Sequence, residues 1–143
     1  MKPEIIPSLL VYSQKEFEEK LRLVENDCKT VQLDILDGGL FPNTTWFDAE
    51  AIGKIKTNVE IELHLMVENP IPIIESFVKH VPTFTHAIVH AEMHRPLGSV
   101  ISYIKDELKL KVGVAVNPET PLSQIENVIH SIDSLLIMSV HPG

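Results

Sequence analysis

The sequence is poor in cysteine, tryptophan and basic residues. Its 143 residues include one cysteine, Cys28, and one tryptophan. A single cysteine cannot form an internal disulfide, so nothing in the sequence points to an oxidising compartment. The 12 Lys and Arg residues are outnumbered by 20 Asp and Glu residues, which gives a formal net charge of -8. This balance argues against a nucleic-acid partner, because binding to nucleic acid needs clustered basic side chains that neutralise phosphates.

The sequence also lacks long apolar runs. No stretch approaches the roughly 20 apolar residues of a transmembrane helix. The N-terminal MKPEIIPSLLVYS lacks the charged region, long apolar stretch and cleavage site of a signal peptide. We therefore expect a cytoplasmic protein with no membrane partner. The length and even composition predict a single domain over residues 1–143.

Six short runs of aliphatic and β-branched residues alternate with helical patterns. Near-continuous apolar character is typical of strands covered on both faces, as in a parallel sheet. Their alternation with helices indicates βα units. The predicted strands are Glu4–Leu10, Thr30–Leu36, Val59–Met66, Thr85–His90, Lys111–Val116 and Ser134–Val140.

Helix start signals fall between the predicted strands. Ser13 and Glu16 have the spacing of a capping box. Asp48 is placed to cap a short second helix. Pro70 and Pro96 each open a further segment with helical periodicity, and Thr120-Pro121 predicts a helix that continues to Ile132.

Two architectures fit this alternation: an open doubly wound sheet and part of a (β/α)8 barrel. The dinucleotide fingerprint G-x-G-x-x-G does not follow an early strand. A complete barrel typically takes roughly 250 residues and at least about 200. Six strands would therefore make an incomplete barrel, and periodicity leaves both architectures open.

Polar residues gather where the predicted strands end, and ligands bind at such carboxyl ends in parallel α/β proteins. Strand alternation allows Asp34 to face His64 from the next strand. Imidazole and carboxylate together suit zinc, iron or manganese, and a purely structural hydrogen bond fits the pattern equally. Asp37, which precedes two glycines, is more typical of a turn. The other polar residues at strand ends are Ser8, Gln32, His90, Glu92, Asn117, Ser139 and His141.

Six segments, taken together and in order, resemble the ribulose-phosphate 3-epimerase family. They are IIPSLL at 5–10, LDILDGGLFPN at 33–43, LHLMVENP at 63–70, AIVHAE at 87–92, GVAVNPETPL at 113–122 and LLIMSVHPG at 135–143. The resemblance implies an α/β fold of the (β/α)8 TIM-barrel type, truncated to about six βα units in this chain. It also implies an isomerase of the pentose phosphate pathway, which interconverts D-ribulose 5-phosphate and D-xylulose 5-phosphate by metal-assisted proton transfer at C3.

The resemblance further implies roles for individual residues. Asp34 matches an acid–base aspartate that also binds the metal, and His64 matches a metal-ligating histidine at the substrate site. The divalent metal would be zinc, iron, manganese or cobalt, and the partner a pentose phosphate. The other implied substrate contacts are Ser8, Met66, Met138 and Gly143.

The sequence departs from the family pattern at the metal site. Gln32 stands where members usually carry a metal-binding histidine, and a neutral amide oxygen is a poorer ligand for transition metals than imidazole. The second catalytic aspartate of the family, itself a metal ligand, belongs to a seventh strand that residues 1–143 do not include. We therefore expect weak metal binding and little or no epimerase activity from this chain alone.

Two other functions fit part of the sequence pattern. A non-catalytic sugar-phosphate binder or scaffold is the main alternative and is favoured by Gln32. A barrel of the orotidine-phosphate decarboxylase group is disfavoured, because its D-x-K-x-x-D motif needs a lysine that is absent from Asp34-Ile35-Leu36-Asp37. Unpaired sheet edges would favour a homo-oligomer or a complementing chain.

Overall fold

A six-stranded parallel sheet forms the frame of the molecule. The computed structural model describes residues 2–143. Its strands are β1 (Ser8–Leu9), β2 (Thr30–Ile35), β3 (Glu60–Leu65), β4 (Phe84–His90), β5 (Lys111–Val116) and β6 (Ser134–Ile137). They pair in chain order, each strand parallel to the one before it. This curled half-barrel confirms the predicted α/β fold, since the strand order of a doubly wound sheet reverses partway.

Helices occupy the connections between the strands. They are α1 (Gln14–Val24), α2 (Ala49–Gly53), α3 (Ile71–His80) and α4 (Leu97–Ser102), which continues as a π-helical turn over Tyr103–Glu107. Ser13 Oγ accepts the Glu16 N–H at 3.1 Å, and Asp48 accepts the Ala51 N–H at 2.9 Å, so both predicted caps are present. Across residues 2–143, no helix combines the length and apolar character needed to cross a membrane.

The predicted elements differ from the observed ones near both ends of the chain. β1 has two residues instead of spanning Glu4–Leu10, and β6 stops before Val140. Both are edge strands of the sheet, with a hydrogen-bonding neighbour on one side only. The prediction of a helix from Thr120-Pro121 to Ile132 is wrong, because the chain forms only a short 3-10 helix over Leu122–Ile125. Only Ile125 of that apolar pattern is fully buried, whereas Leu122 is 52% exposed.

The two faces of the sheet differ in polarity. Val31, Leu33 and Ile35 of β2 are buried in one core with Phe17 of α1 and Phe77 of α3. Alternation turns the intervening residues to the opposite, concave face. That face borders a cavity of about 310 Å³ whose polar lining includes Thr30, Gln32, Glu62, His86, Lys111 and Ser134. The apolar core therefore lies between the sheet and the helices, and the polar side chains lie on the concave face of the sheet.

One hydrogen-bonded layer of the concave face crosses from β3 to β6. His86 Nδ1 lies 3.1 Å from a carboxylate oxygen of Glu62, and Ser134 Oγ lies 2.9 Å from His86 Nε2. Gly113 leaves room for this layer, because a Cβ there would overlap Ser134 Oγ and lie 3.1 Å from His86 Nε2. His86, which has no evident partner in the sequence, is therefore bonded on both sides of its ring.

Gly53→Ala tests the close approach of α2 to α3. A Cβ at Gly53 would overlap the backbone carbonyl oxygen of His80, and a backbone atom cannot move aside as a side chain can. We expect this substitution to lower the free energy of unfolding by about 1–3 kcal/mol, the usual cost of overpacking. Urea unfolding followed by circular dichroism measures the loss.

Gly98→Ala is the matched control for this prediction. A Cβ at Gly98, within α4, would meet only Val128 Cγ1 at 3.9 Å. Alanine is more favourable than glycine inside a helix by about 0.8–1 kcal/mol, so this variant should be as stable as the wild type or more stable. Equal destabilisation of the two variants would show that the contact between α2 and α3 is not the cause.

Candidate active site

Neighbouring strands place Asp34 and His64 side by side. The register of β2 and β3 pairs the two residues directly, and His64 Nδ1 lies 3.1 Å from Asp34 Oδ1. The His64 side chain is 3% exposed and the Asp34 side chain 15% exposed. The structure thus brings together the two residues that the sequence pairs, with the carboxylate nearer to solvent.

Asp34 is held by side chains from its own strand and from β1. Ser8 Oγ donates to Asp34 Oδ2 at 2.7 Å, and Gln32 Nε2 donates to Asp34 Oδ1 at 2.9 Å. Burial by itself would raise the pKa of Asp34, but its contacts with His64, Ser8 and Gln32 outweigh burial and hold that pKa below its usual value. Asp34 is therefore an ionised carboxylate at neutral pH, fixed in orientation by its neighbours.

Hydrogen bonds continue from His64 to the end of β4. His64 Nε2 lies 2.8 Å from His90 Nε2, and His90 Nδ1 lies 2.9 Å from Glu92 Oε2. The two imidazole rings stack with their centroids 5.0 Å apart, and Phe41 packs edge-on against His90. Four side chains thus form one line, Asp34–His64–His90–Glu92, which we call the Asp34–Glu92 row.

Glu92 joins this row to the loop after β5. Its Oε1 accepts hydrogen bonds from the Asn117 N–H and the Thr120 hydroxyl, both at 2.6 Å. Burial would raise the pKa of Glu92, but hydrogen bonds from His90, Asn117 and Thr120 outweigh it and lower the pKa to about 2. Burial also lowers the pKa of His90. At neutral pH a neutral His90 therefore faces an ionised Glu92.

A buried acceptor without a partner lies in the same loop. Asn117 is 9% exposed, and its Oδ1 has no hydrogen-bond partner among the residues that the structure describes. Buried polar atoms are rarely left unpaired in folded proteins. Asn117 Oδ1 is thus free to accept a hydrogen bond from water or from a ligand hydroxyl.

The turn after β2 leaves Asp37 outside this arrangement. Asp37 Oδ1 accepts the Gly39 N–H at 2.9 Å, and Asp37 also forms an isolated antiparallel bridge with Thr44. Gly38 has φ +80°, a left-handed conformation that glycine adopts at little steric cost. Asp37 therefore shapes the loop, as its Asp-Gly-Gly context predicts.

The remaining predicted substrate contacts lie on the loops that follow the strands. Met66 comes directly after β3 and is buried, whereas Met138 comes directly after β6 and is half-buried. Gly143 lies against the loop after β2, since a Cβ there would be 3.3 Å from Asn43 Cβ and 3.4 Å from Leu36 Cδ2. These positions share the carboxyl side of the sheet with Asp34.

Asp34 and His64 supply two of the donor atoms that a transition-metal site needs. Two ligands of a tetrahedral zinc ion lie about 3.3 Å apart, close to the 3.1 Å between His64 Nδ1 and Asp34 Oδ1. Gln32 turns its amide NH₂ towards Asp34 and is a hydrogen-bond donor in this arrangement. Within residues 2–143, no three His, Cys, Asp or Glu side chains are grouped to hold a metal ion. The described residues thus offer two good metal donors.

Glu92→Gln tests the charge at the Glu92 end of the row. Because the pKa of Glu92 lies at about 2 in the folded protein, its ionised form stabilises the fold above about pH 4.3, the pKa of an unfolded glutamate. This stabilisation is lost as the pH falls towards 2. We expect the free energy of unfolding of Glu92→Gln to fall less steeply with acidification than that of the wild type. Urea titrations at several pH values measure both slopes.

Glu126→Gln is the control for this pH dependence, because it removes the same charge from an exposed side chain. Its slope with pH reports the general effect of one fewer negative charge. If the slopes of Glu92→Gln and Glu126→Gln coincide, Glu92 carries no lowered pKa.

Comparison with known proteins identifies relatives over almost the whole chain. The sequence profile of the Ribulose-phosphate 3 epimerase family matches residues 4–143. Ribulose-phosphate 3-epimerase of Bacillus subtilis (strain 168) is 33% identical over 145 residues, which cover 98% of this chain and 64% of that protein. Ribulose-5-phosphate-3-epimerase, chloroplastic, of Arabidopsis thaliana is 34% identical over 144 residues, which cover 97% of this chain and 50% of that protein.

A bacterial relative from another lineage gives the same result. Ribulose-phosphate 3-epimerase of Chlamydia trachomatis is 33% identical over 127 residues, which cover 87% of this chain and 53% of that protein. The chain thus spans between 50% and 64% of the length of these three relatives. The profile match and the relatives agree with the order of strands and motifs, and the chain belongs to the ribulose-phosphate 3-epimerase family.

Proposed function

We propose that this chain carries one half of a metal-assisted site for epimerisation at C3 of D-ribulose 5-phosphate and D-xylulose 5-phosphate. The proposal rests on the position of the Asp34 carboxylate, which lies 3.1 Å from His64 Nδ1 on the concave face of the sheet. The match to the epimerase family supports a sugar phosphate as the substrate.

Asp34 is the residue to which we assign proton transfer. Ser8 and Gln32 fix its carboxylate from two sides, so it can meet the C3 hydrogen in one orientation. A carboxylate with a lowered pKa is too weak a base to remove a proton next to a carbonyl group unaided. A divalent metal held by Asp34 and His64 would supply positive charge where negative charge develops as the proton leaves.

Inversion at C3 needs a proton donor and a proton acceptor on opposite faces of the carbon atom. Asp34 would transfer the proton on one face of C3. We assign proton transfer on the opposite face to none of residues 2–143. β1 and β6 are the edges of the curled sheet, so its concave side stays open. We infer that residues 1–143 alone exchange the C3 hydrogen from one face and invert this carbon poorly.

Other residues are proposed to bind the substrate around Asp34. Asn117 Oδ1, a buried acceptor, suits a sugar hydroxyl. Met66 and Met138 would exclude water from the reaction centre. Gly143 has φ +90°, and its backbone N–H suits the substrate phosphate, since backbone N–H groups bind phosphate oxygens well.

A non-catalytic sugar-phosphate binder is the second candidate function. It is favoured by Gln32, whose amide NH₂ occupies one oxygen of Asp34 without offering a metal ligand. A homo-oligomer or a complementing chain that covers the sheet edges would be compatible with either function. The cytoplasmic location stays a prediction, and one of the relatives is a chloroplastic protein.

Solvent exchange at C3 distinguishes half a site from a complete one. With Zn²⁺, Mn²⁺ or Co²⁺ present, we expect chain 1–143 in D₂O to replace the C3 hydrogen of one epimer faster than it interconverts the two epimers. Asp34→Asn should slow this exchange by about 100-fold or more, since a positioned general base contributes roughly 10²–10⁴-fold. Proton NMR of the sugar phosphate measures exchange and epimerisation in the same sample.

Each outcome of the exchange experiment bears on one part of the proposal. Exchange that survives in Asp34→Asn would remove Asp34 from the acid–base role. Epimerisation as fast as exchange would show that the chain supplies both acids. Sugar-phosphate binding with no exchange would favour the non-catalytic binder.

Gln32→His tests the metal part of the proposed site. An imidazole at position 32 would stand beside Asp34 and His64, so we expect the affinity for Zn²⁺ or Co²⁺ to rise by about tenfold or more. Isothermal titration calorimetry measures this change. Gln124→His, the same replacement at an exposed position, should leave the affinity unchanged. If Gln32→His also leaves it unchanged, position 32 does not face the metal.

A further inference from the structure

We propose that Thr45 is a positioning residue for Asp34, because its hydroxyl holds the backbone of β2 where that strand has no partner in β1. The proposal rests on the proposed function, since it concerns the carboxylate to which proton transfer is assigned. Thr45 bonds to the main chain of Asp34, so it acts on that carboxylate indirectly.

β1 pairs with only part of β2. The last pair in their register is Leu9 with Leu33, whereas β3 follows β2 as far as the pair of Ile35 with Leu65. Asp34 therefore comes one residue after the last pair with β1. From this residue onward, the side of β2 that faces β1 needs other hydrogen-bond partners, because nearly all buried backbone groups in folded proteins are paired.

The backbone groups of Asp34 and Leu36 face this unpaired side. Gln32 donates its N–H to the C=O of Pro7, the residue before β1, at 2.8 Å. Successive residues of a paired strand direct their N–H and C=O groups to alternate sides. Asp34 and Leu36 come two and four residues after Gln32, so their backbone groups point to the same side as those of Gln32.

The Thr45 hydroxyl supplies partners for both residues. It donates to the C=O of Asp34 at 3.0 Å and accepts the N–H of Leu36 at 3.0 Å. The Thr45 N–H adds a third bond, to the C=O of Leu36 at 2.9 Å. Leu36 is fully buried, so leaving its N–H without an acceptor would be costly. One side chain thus holds the backbone on both sides of residue 35.

Trp46 fixes Thr45 in this place. The Trp46 N–H donates to the C=O of Val11 at 2.8 Å, and its ring packs against Phe17 of α1 with centroids 6.0 Å apart. Val11 and Phe17 are both fully buried. Residues 45 and 46 therefore bridge the chain that follows β1 and the end of β2, where a longer β1 would otherwise lie.

The orientation of the Asp34 carboxylate depends on this backbone contact. Ser8 and Gln32 bond to the carboxylate from β1 and from its own strand, and His64 contacts it from β3. These distances hold only while the end of β2 stays in line with both neighbouring strands. A misplacement of about 1 Å can slow a reaction roughly 100-fold, so a loosened strand end would impair proton transfer.

Threonine variants separate positioning from general stability. Thr45→Val removes the hydroxyl and keeps the branched shape, whereas Thr45→Ser keeps the hydroxyl. Thr57→Val is the matched control, because the half-buried Thr57 hydroxyl also accepts a backbone N–H, that of Val59 at 3.2 Å, and donates to Glu25 at 3.3 Å. Thr57 precedes β3, at the opposite end of the sheet from Asp34. Both valine variants should unfold at a lower urea concentration than the wild type.

Exchange of the C3 hydrogen in D₂O, with the same divalent metals, measures the effect on the proposed reaction. Thr45→Val should lower kcat about tenfold or more and change KM by less than about twofold, as expected when an interaction matters in the transition state alone. Thr45→Ser should keep most of the wild-type kcat, and Thr57→Val should keep all of it. A wild-type kcat in Thr45→Val, or equal losses in both valine variants, would overturn the proposal.

Nitrogen-15 relaxation of the metal-free protein reports the position of Asp34 without any activity. The Asp34 N–H should have the order parameter of a rigid backbone, about 0.85, in the wild type, Thr45→Ser and Thr57→Val, and a clearly lower one in Thr45→Val. Thr45→Ala removes the same hydroxyl and should behave as Thr45→Val does, which covers a valine variant that fails to fold.

The two measurements distinguish the proposal from the function on which it rests. An Asp34 order parameter that stays at the wild-type value without the Thr45 hydroxyl would overturn the positioning role. A lowered order parameter in a chain that exchanges no C3 hydrogen would support the positioning role and count against the proposed function.

Discussion

Parallel pairing of β2, β3 and β4 in a fixed register is the constraint on which the rest of the site depends. Register places His64 opposite Asp34 and Ile88 opposite His64, and alternation then returns His90 to the concave face. A shift of one residue in either pair would turn these side chains into the apolar core. The buried residues under the helices therefore preserve the geometry of the site indirectly, because they fix the register of each strand.

Much of this arrangement could be predicted from the sequence. Strands with a two-residue period and a parallel order bring carboxyl ends together, which predicts that Asp34 and His64 meet. Ser13 and Asp48 cap helices because their short side chains reach backbone N–H groups two or three residues ahead, a local rule that needs no tertiary information. The proposed reaction was inferred from the resemblance of the motifs to a known family, because periodicity alone predicts no reaction.

Other features depend on distances that a linear pattern does not carry. The bond between His64 and His90 requires particular ring orientations, and the role of Glu92 depends on the loop after β5, which lies about one unit further along the chain. The buried oxygen of Asn117 is visible only when its surroundings are known. The helix predicted from Thr120-Pro121 failed because an apolar period forms a packed helix only where a neighbouring surface covers it.

The layer of Glu62, His86 and Ser134 has an evolutionary consequence. A Cβ at residue 113 would overlap Ser134 Oγ and lie 3.1 Å from His86 Nε2, so a side chain there would push Ser134 out of its hydrogen bond with His86. A larger residue at 113 would therefore cost this layer a hydrogen bond unless residue 134 changes with it. Among sequences that descend from this one, substitutions at 113 and 134 should therefore occur together more often than separately.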